Sequence, residues 1–232
     1  MQPKIIEKDK LFIAGLTGDG TKTYELWNDL DSKYNTNPFP KSDENGYEIR
    51  FFNNETKGKD IHVVFLGESE YTEGYDIIII PPSEYAVFDV YVANGYESGN
   101  EEMNKWLEDN SMLVKCREIN GSEFIIEHYN ERFKDGDKSD SIVEFWIPFI
   151  RKCQSCFMEM DTADKFGIEK DGGRNLDYCC YCYANGAFTT KQTLEEAVEG
   201  NIQFWREEDD TSDDQARARI MVTALKSRGG MT

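Results

Sequence analysis

Five of the six cysteines fall into two short clusters, Cys153-Gln154-Ser155-Cys156 and Cys179-Cys180-Tyr181-Cys182. Two sulfurs separated by two residues can reach one ion. Two such knuckles supply the four thiolates of a tetrahedral structural zinc site. Spacing alone does not choose between Cys179 and Cys180 as the third sulfur. Gly167, Asp171, Gly172, Gly173 and Asn175 lie between the clusters and suit a chain that turns back on itself. A disulfide pair and unligated core thiols are the alternatives. A shell of four sulfurs leaves no position open for water or substrate, so the ion is expected to stabilise a small module rather than to catalyse.

Glu127 offers a different chemistry. In the run Phe124-Ile125-Ile126-Glu127-His128-Tyr129, strand alternation puts Ile125, Glu127 and Tyr129 on one face and His128 on the other. With apolar neighbours, Glu127 is either a solvent-facing strand residue or a buried carboxylate. Burial would raise its pKa, favour pairing with a cationic ligand, and suit a general base that activates water. Trp146 shares a strand face with Glu144 and could stack on a planar ligand or hold a cation over its ring; ordinary core packing is the alternative. Trp27, on the apolar face of a helix, and Tyr85, just after Pro81-Pro82, also read either as cleft residues or as packing. Neither His62 nor His128 has a partner at metal or catalytic spacing, and Cys116 is isolated. No G-x-S-x-G elbow, P-loop or dinucleotide fingerprint is present.

The chain has 232 residues and a formal net charge of −19, with 39% hydrophobic and 13% aromatic residues. That is enough for one large domain or two small ones with a sizeable core. The acidic balance, with no basic stripe to offset it, argues against nucleic-acid binding by these residues alone. The longest apolar run, Ile77-Ile78-Ile79-Ile80, is too short to span a bilayer, and no signal peptide follows Met1-Gln2-Pro3-Lys4. Clustered thiols without an export signal fit a reducing, cytoplasmic setting.

Lys4 to Leu16 reads as an opening strand broken at Gly18-Asp19-Gly20. A helix capped by Thr23 follows, its apolar face formed by Tyr24, Trp27, Leu30 and Tyr34. Strands are expected at Tyr47–Phe52, Ile61–Leu66, Asp76–Ile80, Tyr85–Tyr91, Phe124–Tyr129 and Val143–Phe149, the last stopped by Pro148. A loop over Gly95 to Asn100 precedes a helix through Met103, Trp106 and Leu107. The order gives two βαββ halves joined by a strand. The expected fold class is α+β: a curved antiparallel sheet with two helices, a cleft between the halves, then a small zinc ribbon with C-terminal helices. In that tail Leu194, Val198 and Ile202 sit at helical spacing, and Ser212 can cap a last helix. The expected domains are 1–150 and 151–232.

Residues of roughly 4–150 resemble the GyrI-like small-molecule-binding domain, the effector-binding domain of AraC-type and drug-sensing regulators. The matching stretches are Tyr24-Glu25-Leu26-Trp27, Ile80 through Phe88, Phe124 through Tyr129, and Val143 through Pro148. Residues of roughly 152–228 resemble a zinc-ribbon family with the pattern CQSCxM…FG…DG…YCxYCYxxGxFT. It is met here by Cys153 through Met158, Phe166-Gly167, Asp171-Gly172 and Tyr178 through Thr189. Phe157 stands where that family commonly has glycine, and Cys180 is an extra thiol. The family register implies that Cys153, Cys156, Cys179 and Cys182 hold structural zinc and that Cys180 is spare.

The first resemblance implies a cytoplasmic bacterial protein with a multidrug-type cleft for apolar, planar or cationic compounds. Glu127 would be its polar anchor, with Trp146, Tyr85, Trp27 and Tyr129 around the ligand. No helix-turn-helix pattern precedes residue 4, so a stand-alone sensor or sequestering protein is expected. A hydrolase of strained, cyclopropane-bearing compounds with Glu127 as base is the second reading. A protein-interaction module is the third, with the ribbon and acidic tail meeting a partner chain or a second copy. The partners expected are thus a small molecule and a protein contact through the C-terminal region, with no nucleic acid and no membrane.

Overall fold

The computed structural model describes residues 2–52, 60–67, 73–111, 113–134, 138–191, 193, 196, 199 and 200. The expected C-terminal helices lie outside these residues. Among the described residues no helix is long and apolar enough to cross a membrane. The chain divides into two compact units: Met1–Glu108 with Cys116–Phe149, and Asp109–Lys115 with Ile150–Thr232.

The first unit opens with two strands where the sequence suggested one. Lys4–Lys8 (β1) and Leu11–Asp19 (β2) separate at Asp9-Lys10 and join different neighbours. Helix α1 (Thr23–Thr36) follows, then β3 (Gly46–Phe52), β4 (Asp60–Gly67), β5 (Asp76–Ile80) and β6 (Ser83–Tyr91). Helix α2 (Tyr96–Asn110) leads to β7 (Val114–Cys116), β8 (Glu118–Ile119), β9 (Ser122–Tyr129) and β10 (Ile142–Lys152). The main sheet runs β1-β6-β10-β9-β3-β4-β2-β5, with each neighbouring pair antiparallel. It is a curved antiparallel sheet carrying two helices. The two βαββ halves meet at its centre, where β9 pairs with β3. The outer strands are exchanged: β1 precedes the first half but edges the second, pairing with β6, and β5 precedes the second half but edges the first, pairing with β2.

One sheet face is packed by Ile13, Tyr47, Ile49, Phe51, Val64, Ile80, Tyr85, Phe124, Ile126 and Trp146. The other face carries the helices. Leu30 of α1 is fully buried against Ala14, Ile61, Val63 and Phe65, with Leu26, Trp27 and Tyr34 beside it. Tyr24, expected on this stripe, is 80% exposed, and Leu26 takes its place. Thr23 is the first helical residue, not the cap; its hydroxyl donates to the Gly20 carbonyl at 2.9 Å.

Three further expectations are corrected. Helix α2 starts at Tyr96 rather than after Asn100, because the ring of Tyr96 stacks on Phe145 with centroids 5.7 Å apart. Gly99, within the expected loop, lies inside the helix where an added Cβ would come within 2.6 Å of Val90. Strand β10 runs through Pro148 to Lys152. The Pro148 carbonyl accepts from the Arg117 N–H at 2.9 Å, so its nitrogen also points away from β6 and the ladder to that strand loses no donor.

In the second unit the end of β10 pairs with β11 (Glu159–Met160), and β12 (Phe166–Ile168) pairs with β13 (Arg174–Cys179). A last hairpin joins β14 (Tyr183–Ala184) to β15 (Ala187–Phe188). It turns on Asn185-Gly186, both at positive φ, as the β8–β9 hairpin turns on Asn120-Gly121. Two-residue Asn-Gly connections match strand twist, a signal the reading for longer strands passed over. Cys153, Met160, Phe166, Tyr178 and Cys179 form the core of this unit.

Candidate functional site

A cavity of about 840 Å³ opens in the first unit on the helix-bearing face of the sheet. Its floor is the seam between the halves: Glu48, Arg50 and Phe52 from β3, Ile125, Glu127 and Tyr129 from β9, Phe145 and Ile147 from β10. Tyr96, Asn100, Met103, Asn104 and Leu107 of α2 form one wall, and Thr23 contributes from the start of α1.

The β3–β9 register places Glu48 directly opposite Glu127, with Gly46 opposite Tyr129. Both carboxylates are buried, Glu48 at 1% and Glu127 at 6% exposure. The Arg50 guanidinium links them, bonding Glu48 Oε1 through Nη2 and Glu127 Oε1 through Nε at 3.4 Å. The Tyr129 hydroxyl donates to Glu127 Oε2 at 2.9 Å. Burial pushes the Glu48 carboxyl up to about 7, the facing Glu127 adds to the rise, and Arg50 opposes it. Burial likewise raises Glu127, outweighing Arg50 and the Tyr129 bond. The Tyr96 phenol is pushed up to about 12, first by burial and then by Glu127 and Glu48. Among the described residues lining the cavity, Arg50 is the one base against three carboxylates, Glu48, Glu123 and Glu127.

Of the residues singled out in the sequence, Glu127 and Tyr129 line this cavity. Trp27 stands behind them. Its ring meets Tyr129 edge-on at 5.8 Å and fills the space over Gly46, where a Cβ would come within 2.9 Å of the indole. Trp146 and Tyr85 face the opposite side of the sheet, because Phe145, not Trp146, pairs with Glu127. There Trp146 packs against His128, Tyr85 and Tyr47 at 4.6, 5.6 and 6.1 Å, and its indole N–H donates to Glu144 Oε2 at 3.0 Å. His128 Nδ1 lies 2.8 Å from the same oxygen, and Arg132 bonds Glu144 Oε1 at 3.2 Å. Against the upward push of burial, the bonds from His128 and Trp146 hold the Glu144 carboxyl below its usual range. Sequence reasoning missed Glu48, Arg50 and Tyr96. Glu48 and Arg50 alternate with apolar residues on one strand face, a pattern indistinguishable from an ordinary wet face until the register to β9 is known.

In the second unit the sulfurs of Cys153, Cys156, Cys179 and Cys182 lie within 4.8 Å of one another, and Cys180 is outside the group. The Cys156–Cys179 sulfur separation is 3.7 Å. That is far beyond a disulfide of about 2.05 Å and close to the edge of a tetrahedron with about 2.3 Å zinc–sulfur bonds. The backbone N–H groups of Cys179 and Ser155 point at Cys153 Sγ from 3.3 and 3.4 Å, as donors to a thiolate do. The donor set fits structural zinc. Phe157 closes the first knuckle at φ 61, which explains why glycine suits the position.

Residues 152–227 match the family model described as "Putative zinc ribbon domain". No curated protein matches the chain in sequence. Among solved structures the chain is similar to the EcmrR C-terminal domain, with 12% identity over 64% of this chain and 96% of that one at a TM-score of 0.50. It is also similar to SAV2435 bound to tetraphenylphosphonium, with 16% identity, 64% and 94% coverage and a TM-score of 0.47. A hydrolase from Listeria innocua shares 8% identity at 64% and 91% coverage with a TM-score of 0.41. Residues 152–227 match the zinc-ribbon family model and place four cysteines as structural zinc requires, and the unit that precedes them has the GyrI-like effector-binding fold.

Proposed function

We propose that the first unit binds small organic cations of apolar or planar shape in the 840 Å³ cavity, as a sensor or sequestering protein. The observation that carries this reading is the pair of buried, opposed carboxylates on the cavity floor, with Arg50 as the lining base. A cavity of this size suits a drug-sized ligand. Its walls of Phe52, Leu107, Ile125, Phe145 and Ile147 favour an apolar body, and Tyr96 and Tyr129 add aromatic rings of the kind that attract a cation. Glu127 is the proposed anchor, Tyr129 its hydrogen-bond partner, and Trp27 the support behind Tyr129. Trp146 and Tyr85 have no part in this site.

Titration of a fluorescent planar cation and its uncharged analogue into the wild-type protein and Glu127→Gln tests the reading. Saturable binding of the cation is expected, weakened at least about tenfold in the variant, with the uncharged analogue indifferent to the change. Equal affinity of both proteins for the cation would rule out Glu127 as anchor. The Tyr129–Glu127 bond and the raised carboxyl also favour a hydrolytic reading, with Glu127 as base. Turnover of a cyclopropane-bearing compound, abolished in Glu127→Gln, would establish it; binding without turnover would dismiss it.

A further inference from the structure

Glu48 and Glu127 oppose each other residue for residue across β3 and β9, and one guanidinium, Arg50, bonds to both. The Cβ atoms of directly opposed antiparallel residues lie about 4.5–5.5 Å apart. Two carboxylates this close and this buried repel strongly, and a single guanidinium balances one charge. Among the described residues no second base lines the cavity, so the other needs a proton or a second cation. Resting on the cation-binding reading above, we propose that Glu48 sets the charge of the ligand. Before binding, the Glu48–Glu127 pair retains one proton, and a monocation enters by displacing that proton to solvent.

The step balances as an exchange. One carboxylic O–H bond breaks, the proton passes to the buffer, and the carboxylate left behind pairs with the incoming positive charge. The groups facing Glu48 are consistent with it. Arg50 comes from its own strand, Glu127, Tyr129 and Glu123 from β9, Tyr96 from α2 and Cys116 from β7. Val63, opposite on β4, and Phe145, Ile147 and Thr23 carry no charge. Burial and the facing Glu127 keep the Glu48 carboxyl protonated up to about pH 7. The exchange also defines specificity. A cation gains a full partner, a neutral molecule of equal shape leaves the proton in place, and an anion meets only carboxyl groups and a guanidinium already engaged.

Calorimetric titration of the full chain with tetraphenylphosphonium, in phosphate and in Bis-Tris near pH 6 and in borate and in CHES near pH 9, reads the proton through the different ionisation heats of the buffers. About one proton should be released per cation near pH 6 and none near pH 9, with affinity rising about tenfold per pH unit below neutrality and then levelling. In Glu48→Gln the release near pH 6 should vanish, and the rise in affinity with it. Wild-type binding without proton release near pH 6 would overturn the exchange while leaving cation binding intact. Release that persists in Glu48→Gln would assign the proton elsewhere. No saturable binding at any pH would remove the cation reading itself.

Discussion

At the scale of single residues, the same opposed pair shapes stability. The folded pKa of Glu48 lies near 7 against an ordinary 4.5, so the folded protein keeps a proton that the unfolded chain gives up. The unfolding free energy therefore falls as pH rises from about 4.5 to 7, and the full penalty is present above that. Thermal melts of the wild type should drop over this window. Glu48→Gln should flatten the drop and be more stable than wild type near pH 8 by about 1–3 kcal/mol. Parallel pH profiles for the two proteins would contradict this. Alternation within a strand was legible: Glu127 with Tyr129, Trp146 with Glu144, and His128 apart from Glu127. Which faces of different strands coincide was not. Register is a property of two strands at once, so the sequence could not say that Phe145 rather than Trp146 flanks Glu127, or that Glu48 meets it.

At the scale of elements, the errors share a cause. Pro148 and Gly99 carry local signals for breaking a strand and a helix, and tertiary contacts override both: Arg117 bonds the Pro148 carbonyl, and Val90 packs against the bare Gly99 backbone. Where the local signal and the tertiary need agree, as at the Cys153–Cys156 knuckle, the motif is readable. Phe157 is the exception within it, at φ 61 with its N–H bonded to the Cys153 carbonyl at 2.8 Å. A Cβ in this left-handed region costs about 1 kcal/mol. Comparing Phe157→Gly with Phe157→Ala cancels the lost ring contacts. The glycine variant should be the more stable by about 1 kcal/mol in metal-dependent unfolding, and should release zinc to a competing chelator more slowly. Equal behaviour would mean that the turn is not strained.

At the scale of the whole molecule, the two units draw their stability from different sources. The first has the extended apolar clusters on both faces of its sheet. The second has a small core in which two of the five buried residues are zinc-binding cysteines. Stripping the metal should therefore erase the hydrogen-exchange protection of the Cys153, Phe157 and Cys182 amides, whose partners are all within the ribbon. The amides of β3 and β9 should keep theirs. Protection that survives metal removal at Cys153 and Cys182 would show that the ribbon folds on its apolar core alone. The cysteine clusters led to an expected boundary after residue 150. The excursion of Asp109–Lys115 into the second unit leaves no signal in the sequence, because it rests on the Lys152 N–H reaching back to the Leu113 carbonyl.

The exchanged outer strands carry a consequence for how the chain is made. Lys4 pairs with Val87 and Lys8 with Ser83, so β1 has no partner until all of the first half and β6 have been synthesised. The first half can complete itself once β5 reaches β2, whereas the second half must recruit a segment older than either. Each half thus holds the other's opening strand, and neither could be excised as a closed piece of polypeptide without leaving one sheet edge short.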